Sequence, residues 1–277
     1  MIISFIPKVI SKNDDMMETI GFMGSVAAGK TTICKALTGE TTQKHSAELI
    51  NGCTINMCYV NIKIYYNPTA SKKYLINPKP TDDLTGYKLY RHFSIADNPG
   101  HNSYMATLIT GINSVDNVFF LISGVEGIEP QTLQHMKCFQ TTDCRQLCIL
   151  ISKVDLIPTK IKLNEIKSKV FDFLDESELS DDIDPPCIPV CAQTKTNIDY
   201  IIDYLMAAPY PRALEVSIKQ PLIMPIIRSF DINIPGVDQK KLVGATIGGA
   251  LIQGFIVPGD VLCLYPGIVR KINDRYV

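Results

Sequence analysis

Thr19-Ile20-Gly21-Phe22-Met23-Gly24-Ser25-Val26-Ala27-Ala28-Gly29-Lys30-Thr31 runs from an apolar stretch through a glycine-bounded turn into an amphipathic segment. From Gly24 onward it fits the phosphate-loop pattern G-x-x-x-x-G-K-[ST], with a strand expected before it and a helix after it. Glycines let successive backbone N–H groups curl round a phosphate, and the helix behind them turns its positive end toward the same point. Lys30 reaches the β- and γ-phosphates, and Thr31 offers a hydroxyl to Mg²⁺. A plain Gly-rich turn between strand and helix has no use for a Lys-Thr pair. Val26, Ala27, Ala28, Gly29, Lys30, Thr31 and Thr32 are therefore the candidate phosphate-binding residues.

Working outward, short β-branched apolar runs alternate with amphipathic segments from residue 18 to about 205, the pattern of a parallel sheet flanked by helices. Strands are expected at 19–24, 93–96, 118–122, 148–151 and 188–190. Helices are expected at 30–37, 104–112, 131–140, 162–174 and 198–206. Residues 67–88 carry three prolines, paired lysines and a Thr-Asp-Asp-Leu-Thr-Gly turn, and read as a mobile loop insertion. At Ala207-Ala208-Pro209-Tyr210-Pro211-Arg212 helical periodicity stops, and strands punctuated by Gly and Pro begin. The fold class is α/β, divided into a tail at 1–17, a nucleotide-binding domain at 18–206, a linker at 207–215 and a second domain at 216–277.

A chain of 277 residues with 46% hydrophobic and 20% charged residues can bury a large core and carry a smaller second domain. Its net charge of -1 and pI near 6.4 supply no chain-wide cationic field, so nucleic acid has to be held by a local patch. Residues 216–277 hold seven Lys or Arg against four Asp, 7 - 4 = +3, compared with -4 elsewhere. That excess suits an RNA contact and equally an ordinary solvated domain. Nine cysteines, odd in number and never spaced Cys-x-x-Cys, argue against a disulfide framework or zinc ribbon and for a reduced, cytoplasmic setting. The apolar opening at 1–10 is broken by Pro7 and Lys8 and is too short to span a bilayer, so no membrane is expected.

Asp97-Asn98-Pro99-Gly100 follows an expected strand, at the carboxyl end where open α/β sheets bind ligands. Asp97 is a candidate Mg²⁺ holder, and the Gly100 N–H can meet a γ-phosphate in a turn able to change state when that phosphate leaves. Ser152-Lys153-Val154-Asp155 and Cys191-Ala192-Gln193 each follow a strand in the same way. By itself Lys-Val-Asp reads equally well as the lead into a helix.

With these segments the chain resembles the gamma subunit of eukaryotic and archaeal translation initiation factor 2, within the elongation factor Tu-like translational GTPases. The resemblance covers about residues 18–270. It is most specific in the phosphate loop, in 54–65 (Thr-Ile-Asn-Met-Cys-Tyr-Val-Asn-Ile-Lys-Ile-Tyr), in Asp97-Asn98-Pro99-Gly100-His101 with Met105-Ala106-Thr107, and in the subfamily segments 226–233 and 266–269. It implies a P-loop GTPase domain followed by the start of a β-barrel, with GTP/GDP and Mg²⁺ as ligands. Ser152, Lys153, Val154 and Asp155 with Cys191, Ala192 and Gln193 then look like the guanine-reading motifs. A carboxylate at Asp155 accepts from N1–H and the 2-amino group of guanine, a donor pair adenine lacks. Thr54 resembles the switch threonine that engages Mg²⁺ and γ-phosphate in the GTP state. His101 resembles the histidine that positions the hydrolytic water, which with Lys30 and Thr54 completes the candidate catalytic set.

Several positions depart from that pattern. Ser25 and Ala28 stand where the family's loop usually has histidines. Ser152 replaces an asparagine, removing an amide that touches the base and braces the phosphate loop, a loss of about 0.5 to 1.5 kcal/mol. Cys191 replaces a serine. Residues 67–88 hold no cysteine, so no zinc knuckle is expected there. Residues 216–277 are too short to close a barrel, leaving an open edge that invites docking or aggregation. The resemblance implies a slow GTPase that carries methionyl initiator tRNA, with alpha and beta subunits, the small ribosomal subunit, and activating and exchange factors as partners. A nucleotide-gated scaffold with negligible hydrolysis, and an elongation-type or selenocysteine-specific tRNA carrier, are the alternatives.

Overall fold

The structure is a computed structural model. It describes residues 17–42, 58–70, 72–101, 104–112, 115–142, 144, 146–177, 179, 184–208, 220–233, 236–238, 241, 244–249, 251, 253–265, 267, 271–272 and 275–276. The chain divides near residue 211 into two compact units.

In the first unit the elements are β1 (Met17–Gly24), α1 (Lys30–Thr38), β2 (Cys58–Tyr66), β3 (Tyr74–Ile76), β4 (Lys88–Asp97), α2 (Met105–Ile112), β5 (Asn117–Ser123), α3 (Pro130–Gln140), β6 (Gln146–Ser152), α4 (Lys160–Glu176), β7 (Cys187–Pro189) and α5 (Ile198–Ala207). They form one seven-stranded sheet in the order β3-β2-β4-β1-β5-β6-β7. β4, β1, β5, β6 and β7 run parallel to their neighbours, while β2 is antiparallel to β4 and β3 to β2. The carboxyl ends of the five parallel strands therefore meet one edge, where such sheets bind ligands.

Every residue of β5 and all but the first of β6 are buried, as strands covered on both faces require. Phe22 and Phe119 are partners in the β1–β5 register and stack with ring centroids 5.5 Å apart. Each fully buried side chain of that size contributes about 1.5 to 3 kcal/mol by leaving water. The helices are bounded by local chemistry. Gly39 closes α1 in the left-handed region at φ 79°, its N–H donating to the Lys35 carbonyl at 2.8 Å, a conformation glycine adopts without a Cβ penalty. Pro130 opens α3 behind a reciprocal cap between Glu129 and Thr132, which satisfies two otherwise orphaned donors.

Two elements differ from the sequence expectation. Residues 67–88 are not one loop: Tyr74–Ile76 forms edge strand β3 against β2. Its neighbour Asn77, in the left-handed region at φ 44°, accepts from the Lys63 N–H at 2.7 Å and donates to the carbonyls of Asn61 at 3.0 Å and Thr38 at 3.3 Å. Three residues beside prolines carry too little periodicity to register as a strand. β2 itself has the alternation of a strand packed on one face, with Val60, Ile62 and Ile64 buried.

In the second unit the described residues show two antiparallel pairs, β8 (Ile226–Asp231) with β9 (Ala245–Gly249) and β10 (Lys271–Ile272) with β11 (Arg275–Tyr276), together with a bridge between Ile223 and Gln253. Most of the expected linker at 207–215 lies outside the described residues. Among them, no helix is long and apolar enough to cross a membrane.

Candidate functional site

β1 ends at Gly24, whose φ of 141° and close seat exclude a side chain: a Cβ there would lie 2.4 Å from the Leu121 carbonyl oxygen. The turn continues through Ala27 at φ 62° and Gly29 at φ 92°. Such left-handed positions cost a non-glycine residue on the order of 1 kcal/mol or more, which suggests a loop shaped for binding rather than for ease of folding. Val26 and Ala27 are exposed, Ala28 is buried, and Thr32 faces solvent on the first turn of α1. Lys30 is buried at 7% exposure, and its ammonium donates to the carbonyls of Gly24 and Ser25, each at 2.8 Å. Burial pulls its pKa down to about 8, with Asp97 working in the opposite direction. A desolvated ammonium held against two carbonyls of a glycine-bounded turn, at the start of a helix, suits a polyanion.

At the end of β4, Asp97 is fully buried. Its Oδ2 accepts from the hydroxyls of Thr31 at 2.7 Å and Thr42 at 2.5 Å. A carboxylate and hydroxyls gathered beside the phosphate loop are hard oxygen donors of the kind Mg²⁺ takes alongside phosphates and water, so these residues fit that ion. Gly100 lies against the same loop: a Cβ there would be 2.5 Å from the Lys30 ammonium and 3.0 Å from the Ser25 backbone. His101 is exposed and its ring tilts against Tyr104 with centroids 6.1 Å apart. Thr54 lies outside the described residues.

The candidate base-reading residues occupy the ends of β6 and β7. Ser152 corrects an expectation. Its hydroxyl donates to the Ala28 carbonyl at 2.6 Å, so the brace between base strand and phosphate loop is kept by a shorter side chain. The motif alone does not show this contact, because it depends on how closely the end of β6 lies against the phosphate loop. Lys153 is held in the left-handed region at φ 57°, and its ammonium pairs with Glu126 at 2.8 Å. Val154 and Asp155 begin a 3-10 turn, Val154–Leu156, with the Asp155 side chain exposed. Cys191 is buried, Ala192 is half-buried and Gln193 is exposed. The Cys191 N–H donates to the Thr196 carbonyl at 3.1 Å, and its sulfur accepts from the Thr194 N–H at 3.5 Å.

Helix α3 contributes two residues that motif reading did not find. Gln131 accepts from the Val26 N–H at 3.2 Å, and buried His135 accepts from the Gly24 N–H through Nδ1 at 3.2 Å. Their i, i+4 spacing puts both on one face of the helix, a signal that becomes readable only once the loop they face is known. Burial and the Lys30 charge hold the His135 imidazole down to about 4, so it is neutral and able to accept.

Comparison with known proteins agrees with this geometry. The family profile of the elongation factor Tu GTP binding domain matches residues 15–211. Eukaryotic translation initiation factor 2 subunit gamma of Encephalitozoon cuniculi is 33% identical over 271 residues, covering 93% of this chain and 60% of the relative. Eukaryotic translation initiation factor 2 subunit 3 of Drosophila melanogaster is 33% identical over 286 residues, covering 97% of this chain and 58% of the relative. The chain thus spans about 60% of the length of curated relatives it matches. A crystal structure of a bacterial selenocysteine-specific elongation factor, EF-Sec, superposes with a TM-score of 0.62 at 21% identity, covering 86% of this chain and 34% of that one. At that identity it speaks for the fold alone.

Proposed function

The chain belongs to the elongation factor Tu GTP binding domain family, and from that premise we propose that it is a GTP-hydrolysing switch of translation initiation, the counterpart of an initiation factor 2 gamma subunit. The observation that carries the reading is the Ser152 hydroxyl on the Ala28 carbonyl at 2.6 Å. It ties the loop suited to phosphates to the strand end suited to guanine, so that one nucleoside triphosphate has a grip at each end.

In this reading the N–H groups of Ala27 and of residues 29 to 32 and the Lys30 ammonium hold the phosphates, Val26 and Ala28, whose N–H groups donate to Gln131 and Ser25, shape the loop around them, and the Gly100 N–H meets the γ-phosphate. Thr31 and Asp97, joined by Thr54 in the GTP state, would hold Mg²⁺, which neutralises charge developing on the phosphate oxygens. His101 orients the attacking water. Asp155 accepts from guanine N1–H and the 2-amino group, Lys153 lies along the ring edge, and the Ala192 N–H meets the guanine oxygen, with Val154, Cys191 and Gln193 framing the base. A site built to pair both guanine donors leaves a charge unmatched against adenine, so GTP is selected over ATP.

The partners of this reading are methionyl initiator tRNA, bound in the GTP state and released after hydrolysis, alpha and beta subunits, the small ribosomal subunit, and activating and exchange factors, all in the cytoplasm. Filter binding of methionyl initiator tRNA should be tighter with a non-hydrolysable GTP analogue than with GDP. His101→Ala should keep that difference while losing stimulated single-turnover hydrolysis. Equal tRNA binding in the two nucleotide states would refute the initiation role.

A further inference from the structure

The loop between β5 and α3 carries a carboxylate whose place is fixed from several directions. Ser123 and Ser152 are register partners at the ends of β5 and β6. The Ser123 hydroxyl contacts one oxygen of Glu126 and accepts from the N–H groups of Val125 at 3.3 Å and Glu126 at 3.4 Å. The turn closes with the Gly127 N–H on the Ser123 carbonyl at 2.8 Å. It is seated on the base strand by the Gly124 N–H, which donates to the Ser152 carbonyl at 2.9 Å. No side chain fits at Gly124, where a Cβ would lie 2.9 Å from that carbonyl oxygen and 2.7 Å from Ile157 Cδ1. The other oxygen of Glu126 meets the Lys153 ammonium at 2.8 Å.

We propose that Glu126 is a positioning residue for guanine: it anchors the Lys153 ammonium so that the methylene stem is already extended when the base arrives. This rests on the nucleotide reading of the site. The pair is partly open to water, with side chains 27% and 36% exposed, and pairs so exposed contribute little to folding stability. Its value lies in binding. A lysine loses much rotamer freedom when fixed, and a partner that fixes it beforehand leaves less to lose on association. The backbone of Lys153, at φ 57°, aims the side chain, and Glu126 holds its far end.

The experiment is a titration of the full chain with N-methylanthraniloyl-GDP, comparing wild type, Glu126→Gln, Lys153→Met and the double variant, with thermal melting of each nucleotide-free protein. Glu126→Gln should weaken binding by about twofold to fivefold with an unchanged melting temperature. High salt should erase the difference by screening the pair in wild type. In the Lys153→Met background Glu126→Gln should have no further effect. Unchanged affinity for Glu126→Gln, or losses that simply add in the double variant, would overturn the role of Glu126 while leaving the nucleotide reading intact. Absence of guanine nucleotide binding by wild type would remove both.

Discussion

Ser152 sits where the two halves of the site touch, and one hydroxyl hydrogen decides how firmly. The Ala28 carbonyl it satisfies is buried, so Ser152→Ala leaves an acceptor without a donor and without access to water. That costs about 1 to 3 kcal/mol, to be seen as lower stability in urea and weaker GDP binding together. Ser152→Asn, whose amide can donate to the same carbonyl, should lose much less of either. An alanine variant as stable and as tight as wild type would show that the hydrogen bond joins nothing of consequence. At this scale the sequence was legible in part. Lys30, Thr31 and Asp97 came from motif spacing and meet around one buried carboxylate. The retained brace and the Glu126 pair did not, because each depends on how two strand ends lie side by side.

The parallel strands and their helices were readable as elements because strands covered on both faces are written as continuous apolar runs and the helices as amphipathic segments with caps. β2 and β3 were not among them: edge strand β3 is made a strand by its pairing with β2 rather than by composition, and β2, which lies between β3 and β4, carries its alternation Val60, Ile62, Ile64 without a turn signal to bound it. α3 was found as a helix, but not as the element that carries His135 and Gln131 to the phosphate loop. His135 gives that contact a pH signature. Its pKa falls from 6.5 to about 4 in the folded chain, so only the unfolded chain takes up this proton between those values. Stability present above pH 6.5 is therefore lost as the pH falls toward 4. Between pH 7 and pH 5 the loss is roughly 1 to 2 kcal/mol. His135→Asn keeps an acceptor for the Gly24 N–H and does not titrate, so urea unfolding should show its stability falling less over that range. An equal fall in both proteins would mean that His135 is not held neutral by its place against the loop.

Across the whole molecule, the first unit places the described candidate residues at the carboxyl edge of one sheet, in the turns that leave it, or on the first turn of the helices those turns lead into, with Lys30, Thr31 and Thr32 opening α1. That placement follows from strand order: β4, β1, β5 and β6 are adjacent and parallel, so residues more than fifty positions apart in the chain converge. Sequence spacing cannot express that convergence, which is why the motifs were legible singly and their connection was not. In the proposed function phosphate and base are gripped by one continuous site. Competition titration of a fluorescent guanine nucleotide tests it most directly. GDP and GTP should displace the probe at stoichiometric sites and adenine nucleotides should not, with binding lost in Lys30→Ala and guanine selectivity lost in Asp155→Ala. Equal displacement by ADP and GDP, or no saturable binding at all, would contradict it.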